Sequence, residues 1–134
     1  MMNYMYFHFI IQVLYLLRTY HYDAYGNRTS LEDFSESILS PATTQYEYNS
    51  LNQLITKADS VGVERYSYDK RGNLSAVTLD GALKNTYFYG AINRLEQATN
   101  AKGEIAKYLY NGLGNRVGKQ TGTITVGNIL PDAT

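Results

Sequence analysis

The sequence contains no cysteine, which removes disulfide frameworks, thiol nucleophiles and Cys-based zinc sites together and leaves the redox compartment open. Tryptophan is absent too, and there are only two prolines. Two histidines, His8 and His21, do not make an HExxH helix or a His-rich metal site. Net charge is also lacking. Twelve Lys and Arg balance twelve Asp and Glu, so no basic footprint marks a nucleic-acid or anionic-membrane partner. These absences predict a chain without metal, cofactor or nucleic acid.

What the sequence does have is tyrosine, fourteen residues against four phenylalanines, together with eleven glycines. Tyrosine suits half-buried strands, where its ring packs and its hydroxyl reaches water or a partner. Abundant glycine with scarce proline fits a chain of many tight turns. Residues 1–19 are a different object, because 1–17 (MMNYMYFHFIIQVLYLL) form a nearly uncharged apolar run that ends at Arg18. The run is short of the about 20 apolar residues that a spanning helix needs, and it lacks the basic start and small-residue cleavage site of a secretory signal. Three readings of it stand: a non-native or truncated start, a helix or strand pair covering the repeats downstream, or a weak anchor.

From residue 20 onward the sequence repeats. Aligning on Tyr-x-Tyr gives YHYDAYGNR (20–28), YEYNSLNQL (46–54), YSYDKRGNL (66–74), YFYGAINRL (87–95) and YLYNGLGNR (108–116). The tyrosine pairs are Tyr20 and Tyr22, Tyr46 and Tyr48, Tyr66 and Tyr68, Tyr87 and Tyr89, and Tyr108 and Tyr110. Four residues after each second tyrosine stands Gly26, Asn52, Gly72, Asn93 or Gly114, at spacings of 26, 20, 21 and 21 residues. Glycine and, less readily, asparagine visit the left-handed backbone region, so their interchange in one column predicts a turn residue rather than a reactive side chain. The residue after each second tyrosine is Asp23, Asn49, Asp69, Gly90 or Asn111, all turn-closing types.

A second set of turn signals falls at Gly62, Gly81, Gly103 and Gly122. Two strands of about six residues and two turns fill such a period, which predicts one hairpin per repeat. The fold class is therefore all-β, an antiparallel hairpin array of about five repeats over 20–122, with an apolar N-terminal segment open to helix and a tail over 123–134. In Lys107-Tyr108-Leu109-Tyr110 the leucine opposes the rings, so that strand is expected to be covered on both faces. The longer insert, SLEDFSESILSPATT, predicts a surface excursion, and Ser30 followed by Asp33 admits a short helical turn there.

Other chemistry is weakly signalled. Gly112-x-Gly114 is followed by Val117 where a dinucleotide fingerprint needs its third glycine, so a turn is the better reading. Glu32, Asp33 and Glu36 lack the spacing and glycine of an EF-hand and read as a solvated loop. His21 falls inside a repeat strand, with no nucleophile and acid placed to serve it. No catalytic residue is assigned, and the chain reads as a non-enzyme.

The units Tyr-Asp-x-x-Gly-Asn-Arg (22–28) and Tyr-Asp-Lys-Arg-Gly-Asn-Leu (68–74) resemble the YD repeat of the Rhs family of bacterial proteins, shared with the cocoon-forming subunits of Tc toxins and with teneurins. The resemblance implies a spiralling sheet of hairpins that builds a hollow shell, enclosing a C-terminal toxin in bacterial members. It makes the strand tyrosines and turn residues structural, with Asn49, Gly90 and Asn111 standing where the motif has Asp. It also implies a fragment of a secreted or surface protein, partnered by further YD repeats of a longer chain, by its own copies through sheet edges, or by toxin cargo. The alternative is a carbohydrate-binding surface module in which glycans stack on exposed tyrosine rows.

Overall fold

The structure, a computed structural model, describes residues 17–125 and 128–131. The expected apolar segment lies outside the described residues as far as position 16. Every regular element among the described residues is a strand, as the tyrosine and threonine content favours. The chain divides into two compact units, Met1–Glu64 and Arg65–Thr134.

The first unit holds β1 (Arg18–Tyr22), β2 (Arg28–Asp33), β3 (Ala42–Tyr48) and β4 (Leu54–Ala58). The start of β5 (Val63–Tyr68) belongs to it, and the rest of that strand opens the second unit. There follow β6 (Leu74–Leu79), β7 (Ala82–Tyr89), β8 (Leu95–Asn100), β9 (Glu104–Tyr110), β10 (Arg116–Thr125) and β11 (Asn128–Pro131). Within each unit strand order follows chain order, and neighbouring strands pair antiparallel. This is a meander, the topology that short turns produce.

One register feature recurs. Just after the turn β2, β4, β8 and β10 each carry one extra residue, so that the second tyrosine of the repeat pairs with the residue that opens that strand. The pairs are Tyr22 with Arg28, Tyr48 with Leu54, Tyr89 with Leu95 and Tyr110 with Arg116, and the extra residues are Thr29, Ile55, Glu96 and Val117. A bulge of this kind bends and twists the strand locally. It also turns the bulged side chain out of the alternation that a plain period of two would give.

A meander alone has no second layer, and the burial shows it. Among the described residues Val77 and Ile105, 6% and 3% exposed, are the buried apolar side chains, and Thr56 is the buried polar one. Most strand positions are half-buried. The expectation that β9 is covered on both faces fails near its turn, where Leu109 is 47% exposed and Phe88 on β7 is 61% exposed. Ile105, on the same face of β9 as Leu109, is buried against the paired strands. Cover is therefore supplied along the strand by its neighbours and is lacking beside the turn.

Two more expectations are corrected. Gly122 is no turn residue: it sits inside β10, buried, paired with Ile105 on one side and Pro131 on the other. Its neighbours Thr121 and Thr123 are β-branched strand formers, and it has none of the Asp or Asn that accompanies Gly62, Gly81 and Gly103 in their turns. Strand pairing continues past 122, so β10 and β11 occupy much of the stretch expected to be a tail. The capping-box reading at Ser30 also fails, since residues 28–33 form β2 and the excursion is confined to 34–41 with no helix. Asp33 instead accepts the Ser35 amide at 2.9 Å, closing a bend.

Candidate functional site: the YD turns and tyrosine rows

Five turns, 23–27, 49–53, 69–73, 90–94 and 111–115, share one backbone form. In each, the first residue donates its amide to the carbonyl of the fifth, at 2.8 to 3.0 Å, and the fourth donates to the carbonyl of the first, at 3.0 to 3.2 Å. The fourth residue carries the positive φ: Gly26 +84°, Asn52 +58°, Gly72 +86°, Asn93 +63° and Gly114 +88°. That conformation costs roughly 1–2 kcal/mol for an ordinary L-residue, which accounts for the restriction of the column to Gly and Asn.

The side chain of the first residue completes the turn. Asp23 Oδ1 accepts the amides of Tyr25 and Asn27, both at 2.9 Å, and Asp69 Oδ1 accepts those of Arg71 and Asn73, also at 2.9 Å. Asn49 does the same for Leu51 and Gln53 at 3.0 Å, and Asn111 for Leu113 and Asn115 at 3.0 and 2.9 Å. Asparagine can replace aspartate here because its carbonyl oxygen is an equal acceptor for the two amides.

In the first three turns the second side-chain oxygen or nitrogen also meets the fifth residue. Asp23 Oδ2 accepts from Asn27 Nδ2 at 3.0 Å and Asp69 Oδ2 from Asn73 Nδ2 at 3.1 Å. These amides, first among several donors, hold both carboxyl pKa values below the ordinary aspartate range. In the second turn the polarity reverses, with Asn49 Nδ2 donating to Gln53 Oε1 at 2.9 Å. In the fourth turn Gly90 has no side chain, and the Glu96 carboxylate occupies the space a Cβ there would take. Glu96 is the bulged residue of β8, so the bulge fills the gap the missing Asp leaves.

Within each unit, neighbouring turns are also joined to each other. Asn27 Nδ2 donates to Asn52 Oδ1 at 2.9 Å, and Asn73 Nδ2 donates to Asn93 Oδ1. Arg71 donates through Nη1 to the Gly90 carbonyl at 2.6 Å and through Nη2 to the Tyr89 carbonyl at 2.9 Å. The Arg94 guanidinium lies where a Cβ on Gly114 would be and 5.4 Å from the centre of the Tyr110 ring. Asn52 and Asn93 thus have a side-chain role besides their backbone one. Sequence reasoning missed it, although the alternation Gly, Asn, Gly, Asn, Gly along the column was its visible signal.

The tyrosine pairs line the strands leading into these turns. Tyr46, Tyr48, Tyr66, Tyr68, Tyr87, Tyr89, Tyr108 and Tyr110 are half-buried, and desolvation raises the pKa of Tyr48, Tyr68 and Tyr89. Tyr110 donates its hydroxyl to the Leu95 carbonyl at 2.7 Å. Arginines and a lysine cover other rings: Arg28 lies 4.7 Å from the Tyr20 ring centre, and Arg116 and Lys119 lie 5.8 and 5.9 Å from that of Tyr108. Such contacts add about 0.5–1 kcal/mol at exposed sites. Tyr20, Tyr22 and Tyr25 are more open, at 41%, 58% and 81% exposure.

The remaining candidates separate. Glu32 stands 3.7 Å from His21 and Asp33 pairs with Arg18 at 2.8 Å, so the two acids of β2 serve different partners. Among the described residues no group of His, Asp and Glu is placed to hold a metal ion. The concavities are shallow grooves; one of about 490 Å³ lies between Phe88, Ile92, Lys107 and Leu109.

This geometry has known counterparts. The structure of TcdB2–TccC3 without its hypervariable C-terminal region superposes with a TM-score of 0.64 at 19% identity, covering 81% of this chain and 6% of that one. The TcdB2–TccC3–Cdc42 structure gives 0.61 at 18% identity, over 75% of this chain and 6% of that one. A Photorhabdus luminescens Tc holotoxin pore gives 0.60 at 18% identity, over 78% and 6% respectively. At these identities the likeness is one of fold, and the chain spans about 6% of the length of each of these structures. No curated protein sequence matches the chain. Residues 3–118 match the teneurin YD-shell family, and with most of its length inside that match the chain belongs to this family of Rhs-type YD repeats.

Proposed function

We propose that the chain is a non-catalytic structural segment of a β-shell in a secreted or surface protein, and that the shell encloses a toxin cargo or mediates contact. The observation that carries this reading is the bonding of one YD turn to the next, through Asn27 to Asn52, Asn73 to Asn93 and Arg71 to Gly90. A turn built to bond its neighbour is a building element, stable in company, since single hairpins are marginal in water. The turn column Gly26, Asn52, Gly72, Asn93 and Gly114 then sets the repeat, and the tyrosine pairs fill the spaces between strands. Its natural partners are further YD repeats of a longer chain or copies of itself at a sheet edge.

The test is a chimera in which residues 18–122 replace an equivalent run of hairpins in a Tc-toxin shell. An intact shell leaves its enclosed polypeptide resistant to external protease. Digestion of the cargo in the chimera, with the parent shell still protective, overturns the reading.

The carbohydrate-binding alternative keeps one place. Tyr66, Tyr68, Tyr87 and Tyr89 are half-buried, whereas the exposed rings of Tyr20, Tyr22 and Tyr25 can accept a sugar face. Loss of glycan-array binding on Tyr25→Ala would support that reading, and an unchanged array profile would remove it.

A further inference from the structure

The five turns differ in how the first and fifth side chains match. Asp23 with Asn27 and Asp69 with Asn73 pair an acceptor with a donor; Asn49 with Gln53 pairs a donor with an acceptor. The fifth turn pairs Asn111 with Asn115. Asn111 Oδ1 is used by the amides of Leu113 and Asn115, so its free edge is Nδ2, a donor. No partner for Asn111 Nδ2 stands among the described residues, and no bond joins it to the Asn115 side chain. Replacing that one amide group by a carboxylate oxygen would recreate the arrangement of the first and third turns.

The sequence supplies a chemical route. Asn111 precedes Gly112, the single Asn-Gly step in the chain. Both residues are exposed, and nothing lies within 4 Å of where a Cβ on Gly112 would be. In such a step the main-chain nitrogen of the glycine loses its proton and attacks Cγ of the asparagine. The N–Cγ bond forms, the Cγ–Nδ2 bond breaks, and ammonia leaves a succinimide. Water then opens the ring, at Cγ to give aspartate or at the main-chain carbonyl to give isoaspartate. One water enters and one ammonia departs, with no change of oxidation state. The amides of Leu113 and Asn115, already bonded to Oδ1, are the donors that would take up the charge developing on that oxygen, and glycine has the backbone freedom the attack requires.

We propose that Asn111 is a spontaneous deamidation site whose aspartyl product completes the fifth YD turn, so that ageing converts this repeat toward the motif of its neighbours. Asn49 is the internal control, with a serine next to it and Nδ2 held by Gln53. The new carboxylate at position 111 would accept Asn115 Nδ2 as Asp69 accepts Asn73.

The test has two arms on the full chain. Incubation at mildly alkaline pH followed by peptide mapping is expected to show aspartate and isoaspartate at position 111 ahead of every other asparagine, several-fold slower in Gly112→Ala. Conversion first at Asn49, or at no site in this turn, overturns the site. In the second arm Asn111→Asp is expected to melt higher than the wild type at neutral pH, with the gain lost in an Asn115→Ala background and lost as pH falls through a depressed carboxyl pKa. An unchanged or lower melting temperature for Asn111→Asp overturns the completion of the turn.

Discussion

The two ends of the hairpins are built differently. At one end the five YD turns have the same length, the same pair of backbone bonds and the same left-handed fourth residue. At the other end, among the described residues, the chain reverses over 34–41, 59–62, 80–81 and 101–103, four lengths in four connections. The 80–81 connection is a two-residue turn with Asp80 at φ +49° and Gly81 at +83°, the Asp-Gly geometry suited to a twisted hairpin. The 34–41 connection is a loose excursion with Leu39 at 93% exposure. A far-end connection only has to reverse the chain, whereas a YD turn must also present side chains to the next turn. Regularity is found where that second requirement holds.

The largest effect that separates the ends is backbone strain. Gly72→Val forces a β-branched residue into positive φ and is expected to cost about 2 kcal/mol, while Ser37→Ala in the excursion should stay within about 0.5 kcal/mol. Denaturant titration of both variants reads the difference, and equal midpoints would break the comparison. Arg71→Ala removes two bonds between turns and is expected to cost about 1 kcal/mol. Lys102→Ala, at the far end, should be near neutral.

Smaller still is the repair of the fourth turn. Gly90→Asp alone would set a new carboxylate against that of Glu96 and gain nothing, but Gly90→Asp with Glu96→Ala is expected to gain about 0.5 kcal/mol from the restored cap. A gain from the single variant equal to that of the double would show that Glu96 does not fill the missing side chain's place. The smallest expected difference is in pH response. Asp23 and Asp69 have lowered pKa values in the folded chain, chiefly through Asn27 and Asn73. Their contribution is present above the ordinary carboxylate pKa of about 3.9 and lost as pH falls through the depressed values. Tyr48, Tyr68 and Tyr89 have raised values because of burial. Their contribution is present below about pH 10 and lost as pH rises through the raised values. Thermal melts against pH should show an acid limb that Asp69→Asn weakens and an alkaline limb that Tyr68→Phe weakens.

Much of the fold was readable from residues. Tyr-x-Tyr and the Gly/Asn column carry the hairpin period because backbone sterics admit few substitutes at positive φ, and that signal survives in one sequence. The bulges at Thr29, Ile55, Glu96 and Val117 were not readable, because an extra residue after a turn looks like ordinary alternation until the partner strand is known. Glu96 filling the place beside Gly90 was hidden for the same reason. Gly122 misled because glycine marks a turn only with suitable neighbours, and here it sits between strand-forming threonines. The links Asn27 to Asn52 and Arg71 to Gly90 span one repeat, so spacing within a unit says nothing of them.

Native-state hydrogen exchange tests the central claim most directly, that the YD turns are the bonded, building end of the array. The amides of Asn49, Asp69, Gly90 and Asn111, each donated across its turn, are expected to exchange more slowly than the amides at 36–39 in the excursion, and Arg71→Ala should accelerate Gly90 selectively. Equal exchange at the two ends, or an Arg71→Ala variant whose Gly90 amide is unaffected, would contradict the account.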